Sequence, residues 1–193
     1  MKNNDQTVLK ISETALFAAL CFVAFRFLKI VLPGGGVLHV GNAFCVLCAL
    51  LLGGVYGGLA GSVGMTIADL LDPRYITSAP KTFLLKLCIG LIVGLVAHRM
   101  ARLSQEHERK YLVRWTILAS ACGLGFNVIC DPLVGYFYKR YVLGMPVQLA
   151  ESMAKIAAAS TFINAVVSLI LVTVTYLALR PVLKRSGLFL IIK

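Results

Sequence analysis

Asn127 and Asp131 stand four residues apart, as do Ser160 and Asn164, and each pair is set in a long apolar stretch. On an α-helix that spacing places both members on one face. Lys86, in APKTFLLKLCIGL, adds a cation in a similar setting. Amide and ionisable side chains inside apolar spans are costly and face a bundle interior or a wet cavity. The chemistry this set supports is recognition, with donors and acceptors suited to a small polar heterocycle. The same residues also allow a plainer arrangement, a Lys86 to Asp131 ion pair with amides that only join helices. His39 and Asn42, in GGGVLHVGN, stand beside a glycine loop where a gate could supply hydrogen bonds. A helix cap for Asn42 and a surface position for His39 explain them equally well. Tyr75 in DPRYITSAP offers a ring for stacking. Asp69 and Asp72 are three apart and invite an acid/base reading, but Arg74 is close and an Asp-Pro step at Asp72 suits a turn.

Other chemistries find no support. Cys45 and Cys48 form a CxxC in FCVLCALLL with no further ligand beside them, whereas zinc needs three or four. All six cysteines lie in apolar stretches and read as small hydrophobes. No phosphate loop, zinc-protease helix or nucleophile elbow occurs, so neither ATP hydrolysis nor a cofactor is expected of the chain itself.

The elements that must position these residues follow from composition. Of 193 residues, 59% are hydrophobic and 14% charged, against about 45–50% and about 25% in soluble domains. With a mean hydropathy of +0.87, a water-soluble enzyme is excluded. The expectation is an all-α integral membrane protein forming one domain over 1–193, with six spanning helices at about 7–32, 40–55, 57–71, 80–100, 112–137 and 152–179. The first stretch reads as a span rather than a cleaved leader, because Arg26 and Lys29 break its far end. Pro33 and Gly34, Gly35 and Gly36 then end it. Gly53, Gly57 and Gly61 have the small-xxx-small spacing of close helix contact.

The net charge of +11 is spread between the apolar blocks, which reads as topology rather than a nucleic-acid surface. Lys and Arg gather at the N-terminus, after helix four and at the C-terminus, so six spans place both termini in the cytoplasm. Counted from the helix ends at 1.5 Å per residue, Lys86 lies about 9 Å deep, Ser160 and Asn164 about 12–18 Å, and Asn127 and Asp131 near the outer face. The set therefore converges on an outward-opening cavity between helices four, five and six. Arg26, Lys29, Arg74 and Lys81 near its mouth favour a neutral or anionic ligand.

The stretch from His39 to Ala97, with GGVYGGLAGSVG, then ADLL, then APKTFLLK as its specific part, resembles the substrate-binding S components of energy-coupling factor (ECF) vitamin transporters. It is most similar to the group holding the riboflavin, pyridoxine and hydroxymethylpyrimidine types. The resemblance implies a six-helix protein of the bacterial cell membrane that takes a vitamin or precursor from outside, in a cavity closed by the loops after helices one and three. It further implies, as partners, a transmembrane coupling subunit and two ATPase subunits that use the ATP. Alanine motifs on helix one dock on the coupling subunit in that family, and Ala15, Ala18 and Ala19 match them here. The HVGN and DPRYITSAPKT segments depart from the riboflavin binders, which turns the expectation toward a pyridoxine-like or pyrimidine-like ring. Two competitors stand beside this. One is an intramembrane enzyme acting on a lipid-like substrate through Asp69, Asp72 or Asp131 with His39; the other is a membrane assembly protein that binds nothing.

Overall fold

The computed structural model describes residues 3–33, 36–190 and 192. Six helices account for most of it: α1 Asn3–Arg26, α2 Gly41–Leu52, α3 Gly54–Leu70, α4 Ala79–Gly94, α5 Arg109–Phe137 and α6 Val147–Arg185. Wide π-type turns extend α4 through Leu95–Met100 and α5 through Tyr138–Val142. The chain is thus all-α, as the composition requires. Four stretches, Thr7–Arg26, Ile76–Met100, Arg109–Val142 and Val147–Arg185, are long and apolar enough to cross a membrane. With 12 residues in α2 and 17 in α3, these two fall short of the roughly 20 that a full crossing takes. Large apolar side chains such as Ile129, Val174 and Leu84 stand exposed around the bundle, the surface a hydrocarbon solvent favours.

The first helix stops at Arg26, six residues before the expected end at 32. The chain then forms a short antiparallel hairpin, β1 Ile30–Val31 with β2 Val37–Leu38, in which Ile30 faces Leu38 and Val31 faces Val37. The Leu32 N–H donates to the Gly36 carbonyl at 2.7 Å and closes it. Residues Ile30 and Val31 are β-branched and suit a strand, yet their apolar character continues that of the helix, which hides the break. Gly34 and Gly35, expected to end the helix, lie outside the described residues.

Between α2 and α3 the chain reverses at Gly53, whose φ of +102° is a left-handed conformation that only glycine adopts freely. The turn therefore falls within the glycine-rich stretch, with α2 ending at Leu52 rather than at 55. Two rows of glycine then leave α3 by different faces. Gly57 and Gly61 lie against Ala49 and Cys45 of α2, while Gly54 and Gly58 lie against Gly94 and Gly90 of α4. A Cβ at Gly90 would overlap the Gly58 backbone. These contacts pair residues in opposite chain directions, so α2, α3 and α4 run antiparallel in turn. Helix α2 is buried along nearly its whole length and is the axis of the bundle.

The last helix runs on beyond its expected end. Helix α5 contains Pro132, and α6 passes through Pro181 instead of stopping at 179. At this end of the molecule Arg180 Nη2 donates to the carbonyls of Leu103 (3.2 Å) and Gln105 (2.6 Å). The ring of His98 donates from Nε2 to the Ala49 carbonyl at 3.0 Å, tying the segment after α4 to the foot of α2.

Candidate functional site

At the other end, a cavity of about 130 Å³ opens among the hairpin, the start of α2, the ends of α3 and α5, and the first turns of α4 and α6. His39, Asn42, Tyr75, Lys86, Asn127, Asp131, Ser160 and Asn164 all line it. Antiparallel packing explains the convergence: α4 descends beside the ascending α5, so Lys81 meets Asp131 and Lys86 meets Asn127. Lys81 Nζ lies 2.8 Å from Asp131 Oδ1, and Lys86 Nζ donates to Asn127 Oδ1 at 3.2 Å. The ion pair is thus Lys81–Asp131, just over one helical turn higher on α4, and not the Lys86–Asp131 pair of the plainer alternative. The other Asp131 oxygen accepts from Thr161 Oγ1 at 3.1 Å.

Asn164 spends its amide on the loop. Its Nδ2 donates to the Val37 carbonyl at 2.8 Å, and its Oδ1 accepts the His39 N–H at 2.9 Å. It thus clamps β2 and His39 to α6. The His39 ring is no surface group: it stands edge-on to Phe25, centroids 4.6 Å apart. Its Nδ1 accepts the Gly41 N–H at 3.2 Å, so a neutral ring carries its proton on Nε2. Asn42 does not cap α2; it lies within the helix, 1% exposed, and Oδ1 has no hydrogen-bond partner among the described residues. Ser160 Oγ donates to the Ala157 carbonyl of its own helix at 3.1 Å.

Above the cavity, Asp72 gathers three cations. Lys29 Nζ reaches Oδ2 at 2.8 Å, Arg74 bonds both oxygens through Nη2 (2.9 Å) and Nε (3.0 Å), and Arg26 lies 3.7 Å away. Hydrogen bonds from Arg74 and then Lys29 hold the Asp72 carboxyl well below the usual carboxylate range. Lys29 Nζ also lies 5.0 Å from the centre of the Tyr75 ring and 5.9 Å from that of Phe25. One lysine therefore joins the loop after α1 to the loop after α3. Of the four cations expected at the mouth, Arg26, Lys29 and Arg74 gather on Asp72 and Lys81 on Asp131, so two carboxylates offset half of its positive charge.

Sequence reasoning left Thr82 and Thr161 unnoticed and did not place Asp69 among the ligand-binding residues. Thr82 Oγ1 donates to Asp69 Oδ2, and both line the cavity. The signal for Thr82 was present, since it stands four residues before Lys86 and shares its face. On α1 the alanines divide. Ala15 and Ala19 are exposed, while Ala18 is half-buried against α3, beside Gly64.

A membrane-type helical bundle with an enclosed polar cavity at one end, reached beneath two cross-tied loops, defines a membrane-embedded binding protein for a small solute. Over residues 5–181 the chain matches the family described as ECF-type riboflavin transporter, S component. It belongs to that family, a membrane substrate-binding component of vitamin transport. S components work with a module of a coupling subunit and ATPases, and they bind their solute without transforming it, so the chain is no enzyme. No curated protein sequence matches it.

Proposed function

We propose that this chain captures a vitamin or vitamin precursor with a single hydroxylated ring, pyridoxine-like or pyrimidine-like, from outside the cell. It then delivers the solute through a coupling subunit and two ATPase subunits. The observation carrying this is that side chains from α2 to α6 and the hairpin converge on one cavity of about 130 Å³. That volume is below the about 300–1,000 Å³ of pockets for larger ligands, which favours one ring over three fused ones. The Nε2–H of His39 and the ammonium of Lys86 are donors, Asn42 Oδ1 is an acceptor, and Tyr75 supplies a flat face. The clustering of Lys and Arg at both termini and in the segment after α4 supports a cytoplasmic position for all three. Exposed Ala15 and Ala19 offer a small-residue surface for the coupling subunit. ATP and its metal belong to the partner subunits.

The test is a thermal-shift screen of the detergent-purified chain against riboflavin, pyridoxine, thiamine, hydroxymethylpyrimidine and pantothenate. A ligand at a hundredfold its dissociation constant adds about 2.7 kcal/mol to the folded state. A shift with one single-ring compound, lost in Asn127→Ala, is the expected result. No shift with any compound would reject the proposal, and a shift with riboflavin alone would reject the single-ring preference.

A further inference from the structure

Two opposite charges face this cavity without facing each other. Lys86 is 6% exposed, and its ammonium is bonded only to the neutral amide oxygen of Asn127. Asp69 is 2% exposed and accepts from the neutral hydroxyl of Thr82. Among the described residues neither has an oppositely charged group within ion-pair distance, whereas Lys81 and Asp131, lining the same cavity, close to 2.8 Å. A buried charge is costly unless it is paired. Lys139, the remaining cation on the lining, is half-buried on the wide turn after α5.

We infer that the ligand is dipolar, a heteroaromatic ring that turns a protonated edge toward Asp69 and an ionised or strongly electron-rich oxygen toward Lys86. This rests on the proposed function, since it names the charge pattern of the solute bound in that cavity. A ligand of this kind completes both ion pairs at once and adds no net charge to the cavity. A purely anionic ring would satisfy Lys86 and repel Asp69, and a purely cationic one would do the reverse. Neutral rings meet both groups, but without the charge-assisted strength that each can give.

The experiment is calorimetric titration of the intact chain in detergent with four rings of different charge. Pyridoxine is the zwitterion, a pyridinium with a phenolate; nicotinate is the anion, thiamine the cation and riboflavin the neutral ring. Pyridoxine lacking the 3-hydroxyl serves as the control, with no oxygen to meet Lys86 and an unprotonated ring nitrogen. Expected is binding of pyridoxine, at least about tenfold tighter than its 3-deoxy analogue, a step equivalent to one charge-assisted contact. Lys86→Met should shrink that ratio to near one. Equal affinity for pyridoxine and its 3-deoxy analogue overturns the inference, as does binding of the anion, cation or neutral ring alone. Those comparisons use the unaltered protein, so they hold even if the variant fails to fold. Failure of every compound would instead overturn the vitamin-binding function beneath it.

Discussion

Replacing Asp72 by Asn should unfasten the roof of the cavity while leaving the bundle intact. Side chains of Asp72 and Lys29 are 5% and 8% exposed, and their 2.8 Å contact links the loop after α1 to the loop after α3. A hydrogen bond to a charged group contributes about 1.5–3 kcal/mol net. With about 1.4 kcal/mol per factor of ten, the loops should open roughly 10- to 150-fold more often in the variant. Hydrogen–deuterium exchange read by mass spectrometry measures this without any ligand. Amides in 27–32 and 71–78 should exchange faster by about that factor, and those in α2 should keep the parent rate. The pH dependence follows from sign. The folded carboxyl titrates below its unfolded counterpart, so its contribution is complete above the ordinary Asp range and is lost only as pH falls through the lowered value. Variant and parent should therefore differ equally at pH 6 and pH 8. Unchanged exchange in both loops, or a rise spread evenly over the bundle, would refute the latch.

Three further outcomes are expected. Gly90→Ala forces a methyl group into the Gly58 backbone and should lower thermal stability in detergent by about 1–3 kcal/mol or prevent folding, as overpacking does; an unshifted melting temperature would contradict the close α3–α4 contact. Asn164→Ala removes the bonds to Val37 and His39, and the amide protection of 36–40 should fall while that of α4 and α5 stays. Ala15→Leu with Ala19→Leu should stop the chain co-purifying with its coupling subunit and leave solute binding unaltered, because both side chains point away from the bundle.

What could be read from residues alone was governed by period and polarity. The i, i+4 pairs on α5 and α6, and the depth of Lys86, led to the cavity because the bilayer makes each buried polar group conspicuous. Partners within the cavity were harder to read. Lys81 rather than Lys86 meets Asp131 because the rotation of α4 about its axis, set by Gly90 and Gly94 packing on α3, is not encoded in hydropathy. Asn164 looked like a ligand donor, and the hairpin it grips was concealed by an apolar run continuous with α1. Pro181 looked like a stop, yet α6 continues, since a proline removes one donor and does not forbid a helix whose neighbours hold it straight.

That continuity gives α6 a mechanical character. At 1.5 Å per residue its 39 residues form a rod of about 58 Å, nearly twice the roughly 30 Å hydrocarbon thickness. Its middle turns hold Thr161 and Asn164, which reach Asp131 and the hairpin, and a turn near its C-terminus holds Arg180, which donates to the carbonyls of Leu103 and Gln105. One continuous helix therefore joins the wall of the cavity to the segment after α4 at the opposite end of the bundle.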